Sequence, residues 1–136
     1  MRTPTILIAD DEETVRIYIR RILAAQGFQV LEATDGVDAM EQIERMDSPV
    51  DLLLTDVRMP RMDGPSLAHS VTERYPETAV LFISGYPLDL ERERSRHPRK
   101  ACSFLPKPFT PKLLVEAVAH CLSGGSPKSD AAMHGS

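Results

Sequence analysis

The sequence predicts an α/β fold, a flavodoxin-like three-layer (βα)5 domain whose parallel sheet has the strand order 2-1-3-4-5. Two observations lead to this prediction. Five short apolar runs alternate with segments whose apolar residues recur at helical spacing. Acidic, hydroxyl and basic side chains follow four of the runs, where strands would end. Regular alternation favours parallel strands joined by right-handed crossover helices.

The predicted strands are short, and the central one is the clearest. The run from Asp51 to Asp56 is apolar without alternation, which is typical of a strand covered on both faces. Pro60 and the pair Asp63-Gly64 then provide turn residues. In chain order the predicted strands are Thr5 to Ala9, Phe28 to Leu31, Leu52 to Thr55, Ala79 to Ile83, and Cys102 to Leu105.

The predicted helices are bounded by capping and helix-breaking residues. Gly27 ends the first helix, and Thr110 with Pro111 begins the last, which should stop at Gly124. The fourth is the weakest, because few apolar residues follow Leu88 and Leu90, and we predict a short mobile helix there. In chain order the helices are Glu12 to Ala25, Val37 to Met46, Gly64 to Arg74, Pro87 to His97, and the helix that follows Thr110.

Length and composition indicate one globular domain. The chain has 136 residues, of which 42% are hydrophobic and 26% charged, and its net charge of −4 argues against a general nucleic-acid binder. No apolar run approaches the ~18 residues of a membrane span, so we expect no membrane insertion. Met1 leads almost directly into a strand and leaves no room for a signal peptide, so we expect a cytoplasmic location. Cys102 and Cys121 are expected to be buried free thiols.

We place the domain at residues 1–122. Residues 123–136 are rich in glycine and serine, and we interpret them as a disordered tail, a linker remnant or a cloning scar.

Polar residues at the strand ends form the candidate site. Asp10 and Asp11 follow the first strand, Asp56 ends the third, Ser84 follows the fourth and Lys107 follows the fifth. In the predicted order the first and third strands are neighbours, and their carboxyl ends lie at the point where such sheets bind ligands. We therefore expect all five residues in one cleft.

Three carboxylates in one cleft raise one another's pKa values unless a cation lies between them. Mg²⁺, with Mn²⁺ as an alternative, suits oxygen ligands of this kind. Asp10 or Asp11 could instead cap the first helix. Asp56 could be a metal ligand only, or a nucleophile that forms an aspartyl phosphate. In the second case Lys107 and Ser84 would each hold a phosphoryl oxygen. Taken singly, these two would be a surface lysine and a turn serine.

Five short motifs in order carry a family resemblance. They are Ile-Leu-Ile-Ala-Asp10-Asp11, Leu52-Leu-Leu-Thr-Asp56-Val-Arg-Met-Pro60, Met62-Asp63-Gly64, Phe82-Ile-Ser84-Gly85 and Phe104-Leu-Pro-Lys107-Pro108-Phe109. With them the chain resembles a response-regulator receiver domain of two-component and phosphorelay signalling. The resemblance covers Thr5 to Leu122.

The resemblance implies a phosphoacceptor rather than an enzyme, one that promotes only its own phosphorylation and slow dephosphorylation. The residue matching Asp56 would take its phosphoryl group from the phosphohistidine of a histidine kinase or a histidine phosphotransfer protein. Asp10, Asp11 and Asp56, with the backbone carbonyl of Arg58, would organise Mg²⁺. The peptide bond between Lys107 and Pro108 would be cis.

The resemblance also implies a switch. Ser84 would move toward the phosphoryl group and Phe104 would rotate inward, which changes the face offered to an unknown downstream protein. Arg58 and Tyr86 lie at positions that tune how long the phosphoryl group lasts. The charged segment from Glu91 to Lys100 is either a solvated face or part of the partner surface.

Two arrangements of the whole protein stay open. The run from Ile83 to Pro87, with Lys-Pro-Phe-Thr110, is similar to receivers at the C-terminus of hybrid histidine kinases. Since the chain ends soon after its last helix, we expect either a stand-alone shuttle or switch, or a receiver from a larger protein.

Two other functions compete with the phosphoacceptor. One is a Mg²⁺-dependent phosphohydrolase with an aspartyl nucleophile, which usually needs a second carboxylate two residues later, where this chain has Arg58. The other is a degenerate receiver that only binds partners. It is disfavoured by the intact set of Asp10, Asp11, Asp56, Ser84 and Lys107.

Overall fold

The computed structural model describes residues 3–96 and 103–124. It contains one parallel five-stranded sheet in the order β2-β1-β3-β4-β5, which confirms the predicted fold class and strand order. The elements are β1 (Thr5–Ala9), α1 (Glu13–Ala25), β2 (Gln29–Ala33), α2 (Gly36–Glu44), β3 (Leu52–Asp56), α3 (Gly64–Arg74), β4 (Ala79–Ser84), α4 (Pro87–Arg96), β5 (Ser103–Pro106) and α5 (Pro111–Leu122).

Helices cover both faces of the sheet and give the predicted three layers. One hydrophobic cluster joins Ile8 and Leu54 of the sheet to Ile19 of α1 and Val118 of α5. The other joins the opposite face to α2, α3 and α4, and includes Leu53. All five residues of β3 are buried, as a strand covered on both faces requires.

Most element boundaries lie within one or two residues of the predictions. β3 and β4 each run one residue further than predicted and take Asp56 and Ser84 into the sheet. β2 continues to Ala33, because backbone pairing with β1 extends past the polar Glu32. That carboxylate is accommodated by an ion pair with Arg20, with Nε and Oε2 2.6 Å apart.

Helix α4 has no continuous apolar face, and two of its three buried residues are carboxylates. A helix was predicted here and is confirmed, although of its two leucines Leu90 is buried and Leu88 is 72% exposed. Asp89 and Glu93 are only 2% and 1% exposed. Glu93 belongs to the charged segment from Glu91 to Lys100, so at least this part of the segment is packed rather than solvated.

Some predictions fall outside the described residues. They concern His97, the segment 97–100, Cys102 and the tail from residue 125 onward. Within the described residues, the side chain of Cys121 is buried, as expected. None of the helices in residues 3–96 and 103–124 is long and apolar enough to cross a membrane.

Candidate functional site

The register of the sheet brings the predicted site residues to one edge. Ala9 of β1 lies opposite Thr55 of β3, so Asp10 and Asp56 follow at neighbouring positions. Residue 84 lies opposite Pro106, which places Lys107 just beyond it. The backbone amide of Lys107 donates to the carbonyl of Ser84 at 2.8 Å. The peptide bond between Lys107 and Pro108 is cis, as the resemblance implied.

Three carboxylates form an acidic cluster, which we define as Asp10, Asp11 and Asp56. One oxygen from each lies within 4.8 Å of the other two. Asp10 and Asp56 are buried, whereas Asp11 is exposed. Asp10 Oδ1 also accepts the backbone amide of Glu12 at 2.9 Å, at the N-terminus of α1. Glu12 is itself the N-cap residue of α1, and no side chain caps that helix, so the helix-capping alternative for Asp10 and Asp11 is wrong. The second oxygen of Asp10 faces the cluster.

Lys107 is a cation that contacts the carboxylates of this cluster. Its Nζ donates to Asp56 Oδ2 at 2.9 Å, to Asp10 Oδ2 at 3.1 Å and to Glu12 Oε1 at 3.2 Å. Burial alone would lower the pKa of Lys107, but the hydrogen bond to Asp56 and the two buried carboxylates outweigh it and raise the pKa. Lys107 is therefore charged and is not an isolated surface lysine.

Burial disfavours the charged form of both Asp10 and Asp56. Burial raises the pKa of Asp56, and the hydrogen bond and charge of Lys107 offset only part of this rise. Burial also raises the pKa of Asp10, and the neighbouring charge of Asp56 adds to the rise. A desolvated group of oxygen donors with excess negative charge fits a hard divalent cation such as Mg²⁺.

Ser84 is almost fully buried at the end of β4. Its Oγ accepts the backbone amide of Tyr86 at 3.0 Å. The same hydroxyl donates to the backbone carbonyl of Tyr86 at 3.4 Å. The hydroxyl thus lies beside the site while its described hydrogen bonds are both made with the backbone of Tyr86.

Phe104 of β5 is half-buried behind the site. Its ring is stacked on Phe82 of β4, with centroids 5.9 Å apart and an interplanar angle of 18°. The guanidinium carbon of Arg94 lies 4.8 Å from the centroid of Phe104. The ring of Phe104 therefore packs between Phe82 of β4 and Arg94 of α4, and its proposed rotation stays a prediction.

Arg58 and Tyr86 contact each other at the mouth of the site. The Arg58 guanidinium carbon lies 3.9 Å from the Tyr86 ring centroid. Its Nε and Nη2 donate to the two carboxylate oxygens of Asp89 at 2.7 and 3.3 Å. The backbone amide of Arg58 lies 3.4 Å from Asp56 Oδ1. Arg58 therefore adjoins Asp56 through its backbone and is paired with α4, while Tyr86 contacts the Arg58 guanidinium.

The loop between β3 and α3 carries a second arginine, Arg61, which forms an ion pair with Asp35. Arg61 donates from Nε and Nη2 to Asp35 at 2.7 and 3.0 Å, and its backbone has a positive φ of 67°. Asp35 caps α2 by accepting the amide of Asp38 at 2.9 Å.

A glycine is needed at position 64, where α3 begins. A Cβ added at Gly64 would meet the backbone carbonyl oxygen of Asp56.

Sequence reasoning missed Glu12, Asp35, Arg61 and Asp89. The one available pattern was Asp35 before Gly36, which is typical of a helix N-cap.

The site opens to solvent as a cleft of about 470 Å³. Its lining includes two members of the acidic cluster and both tuning candidates, and consists of Asp11, Glu12, Asp56, Arg58, Gly85, Tyr86 and Lys107. Asp56 is buried with the rest of β3, but it lines this cleft and can be approached through it.

Comparisons with known proteins agree on one family. The profile of the response regulator receiver domain matches residues 6–119. The sensor kinase CckA of Brucella abortus is 38% identical over 118 residues, which are 87% of this chain but only 12% of that protein. The response regulator receiver protein CpdR of the same organism is 35% identical over 117 residues, which are 86% of this chain and 95% of CpdR.

Solved structures give the same result. A response regulator receiver domain protein of Clostridium thermocellum matches with a TM-score of 0.80 and 26% identity, over 88% of this chain and 94% of that one. The receiver domain of the hybrid histidine kinase CckA matches with a TM-score of 0.69 and 38% identity, over 87% of this chain and 98% of that one.

Proposed function

Because this chain belongs to the response regulator receiver domain family, we propose that it carries a phosphoryl group on Asp56 in a phosphorelay. The observation that best supports this role is the contact of Lys107 Nζ with both Asp56 and Asp10, at 2.9 and 3.1 Å. A nucleophilic carboxylate beside a fixed cation and two further carboxylates is suited to phosphoryl transfer, in which positioning and charge neutralisation do most of the work.

In the proposed transfer, a carboxylate oxygen of Asp56 attacks the phosphorus of a phosphohistidine. The new O–P bond forms as the P–N bond breaks, and the electron pair of that bond goes to the imidazole nitrogen. With a proton on its other nitrogen, histidine leaves as neutral imidazole. In the later hydrolysis, water attacks phosphorus, the O–P bond breaks, and Asp56 returns to a carboxylate while inorganic phosphate leaves.

The acidic cluster would hold Mg²⁺, with Mn²⁺ as a substitute, through Asp10, Asp11, Asp56 and the backbone carbonyl of Arg58. Bound there, the ion would neutralise charge on the carboxylates and on the phosphoryl oxygens. Lys107 would hold one phosphoryl oxygen as a point charge.

Ser84 would donate its hydroxyl to another oxygen after turning from its present partners. Phe104, which packs between the sheet and Arg94, would change position with it. The shift matters only to the extent that the phosphoryl group binds the two conformers differently, and a full reversal from 1:99 to 99:1 requires ~5.5 kcal/mol.

The proposed phosphodonor is a histidine kinase or a histidine phosphotransfer protein, and the recipient of the signal is an unidentified downstream protein. CckA is described as a hybrid histidine kinase and CpdR as a receiver protein, and the proposed chemistry is the same in either arrangement. The receiver unit would be residues 1–122. The cytoplasmic location and the absence of nucleic-acid binding stay predictions of the sequence, as does the absence of further enzymatic activity.

Neither competing function has an observation in its favour. The position that a phosphohydrolase would fill with an acid holds Arg58, whose guanidinium pairs with Asp89. A degenerate receiver would not need the contacts that Lys107 makes.

The test is an intact-mass measurement after incubation with acetyl phosphate and Mg²⁺. We expect the wild type to gain the mass of one phosphoryl group, and Asp56→Asn to gain none. Lys112→Met on the exposed face of α5 is a control that should label like the wild type. Equal labelling of Asp56→Asn and the wild type would contradict the assignment of Asp56.

A further inference from the structure

We propose that Arg16, near the start of α1, is a positioning residue that holds the turn between β1 and α1 and so sets how tightly the acidic cluster binds Mg²⁺. The inference rests on the proposed function, because it concerns the same phosphoryl site. It gives a role to a helix residue that contacts the cluster through the backbone of Asp10 and not through a carboxylate.

Arg16 joins the end of β1 to the neighbouring strand β2. Its Nη1 donates to the backbone carbonyl of Asp10 at 2.7 Å. Its Nε donates to Oε1 of Glu32 at 3.4 Å, and Nε of Arg20 pairs with Oε2 of the same carboxylate at 2.6 Å. Glu32 thus orients the guanidinium of Arg16, and that guanidinium in turn holds the carbonyl of Asp10.

The hydrogen bond to this carbonyl matters because Asp10 is 0% exposed. β1 ends at Ala9, and among the described residues Arg16 donates the hydrogen bond that the carbonyl of Asp10 accepts. A buried carbonyl that loses its donor costs free energy. The Arg16 side chain is itself only 11% exposed. Without the guanidinium, the turn would therefore have to shift or admit water.

The same turn carries two of the three carboxylates of the acidic cluster. The carboxylate of Asp10 accepts the amide of Glu12 at 2.9 Å and Nζ of Lys107 at 3.1 Å. Asp11 follows directly in the chain and is exposed, so the direction of its carboxylate depends on the backbone of the turn. Groups that only orient the ligands of a metal ion typically change its affinity by roughly 10–100-fold. A shift of this turn should therefore weaken the Mg²⁺ site.

The charge of Arg16 and its hydrogen bond predict opposite effects. Removing a cation near three carboxylates would, by charge alone, tighten Mg²⁺ binding. Losing the hydrogen bond loosens the turn and should weaken binding. We expect weaker binding in Arg16→Met, because Glu32 already balances part of the charge, whereas no other donor among the described residues reaches the carbonyl of Asp10. The direction of the change therefore separates positioning from charge.

Three variants measure the role of Arg16. Arg16→Met should need about tenfold more Mg²⁺ than the wild type for the same gain in the free energy of unfolding. That gain depends only on the ratio of the ion concentration to its dissociation constant, so it can be compared between variants of different metal-free stability. Arg16→Lys keeps the charge and a donor but cannot bond two partners from separate nitrogens in a fixed fork, and we expect an intermediate loss of about threefold.

Arg20→Met is the matched control. It removes an arginine of the same helix that pairs with the same carboxylate of Glu32, and Arg20 has no described contact with Asp10. We expect this variant to bind Mg²⁺ like the wild type, whatever its metal-free stability.

The experiment follows thermal melts over a series of Mg²⁺ concentrations, with circular dichroism of each variant to check folding. Labelling by acetyl phosphate over the same series gives a second readout. In Arg16→Met the Mg²⁺ concentration for half the maximal rate should rise, while the rate at saturating Mg²⁺ stays within about twofold of the wild type. An arginine that only stabilised the fold would lower the metal-free melting temperature and leave both Mg²⁺ dependences unchanged.

Wild-type or tighter Mg²⁺ binding in Arg16→Met, or an equal loss in Arg20→Met, would overturn the inference. If Arg16→Met does not fold, Arg16→Lys decides, and wild-type affinity in that variant overturns it. Failure of the proposed function is distinct, because then Asp56→Asn would label like the wild type. A wild type without any response to Mg²⁺ would overturn both.

Discussion

Lys107 Nζ lies 2.9 Å from Oδ2 of Asp56, although 51 positions separate the two residues in the chain. The contact exists because β3 and β5 both end at the same edge, on either side of β4. The same amine reaches Oδ2 of Asp10 at 3.1 Å. One cation thus partly neutralises a buried pair of acids, and the balance of charge at this edge leads to the following predictions.

Replacing Lys107 should destabilise the domain when no metal is present. In Lys107→Met the acidic cluster loses a cation that contacts it, and we expect the free energy of unfolding to fall by about 1–2 kcal/mol, less than for a fully buried pair because Lys107 is partly exposed. The measurement is urea unfolding at pH 7 with a chelator. Lys112→Met is the matched control and should be neutral, so equal midpoints in both variants would refute this explanation.

Mg²⁺ should stabilise the folded protein in a pH-dependent way. At a concentration ten times its dissociation constant, the ion should add about 1.4 kcal/mol to the free energy of unfolding. Since burial raises the pKa values of Asp10 and Asp56, protons compete with the metal, and binding should weaken as the pH falls. Thermal melts with and without Mg²⁺ at several pH values measure both effects.

The same pKa shifts determine how stability varies with pH in the absence of metal. The folded state binds more protons than the unfolded state once the pH exceeds the ordinary value of 3.8, so these two groups lower stability as the pH rises through their folded pKa values. Asp56→Asn should therefore reduce both the pH dependence and the response to Mg²⁺. An undiminished response to Mg²⁺ in that variant would place the ion elsewhere.

Arg58→Ala and Tyr86→Ala should change the lifetime of the phosphoryl group. The guanidinium carbon lies 3.9 Å from the ring centroid at the mouth of the cleft. If the proposed tuning role is correct, the two groups hinder a hydrolytic water, so we expect both variants to lose the label faster. The measurement is the decay of labelled protein after the phosphodonor is removed. Leu88→Ala, on the exposed face of α4, serves as the control, and unchanged decay in both variants would remove the proposed tuning role.

Gly64→Ala should shift the backbone of Asp56 and so slow its labelling. The added Cβ would meet the backbone carbonyl of Asp56, so either the start of α3 or the end of β3 must shift, at a cost of about 1–3 kcal/mol. We expect slower labelling by acetyl phosphate together with a lower melting temperature. Ser66→Ala changes an exposed position of the same helix and should do neither; if both variants label alike, Asp56 is less constrained than this contact implies.

Much of the fold followed from local patterns. β1 and α3 begin and end where predicted, because a bounded apolar run and the turn residues before Gly64 determine them. The five predicted site residues each lie next to their own strand, so the strand order alone brings them to one edge. Their positions were therefore insensitive to small errors in the boundaries.

The missed residues depend on contacts that no local pattern encodes. Arg58 meets Asp89 across 31 positions, and Arg61 meets Asp35 across 26. Asp89 has the sequence of a solvated helix face, yet it is buried and pairs with an arginine from another loop. The positive φ of Arg61 could not be predicted either, because the residue that adopts it is not a glycine.

The central claim is that Asp56 is the phosphoacceptor, and phosphotransfer tests it most directly. Histidine kinases and phosphotransfer proteins, each labelled on histidine, would be incubated with the wild type and with Asp56→Asn. We predict rapid transfer from at least one donor to the wild type in the presence of Mg²⁺, and none to the variant. Transfer to Asp56→Asn at the wild-type rate would contradict the account.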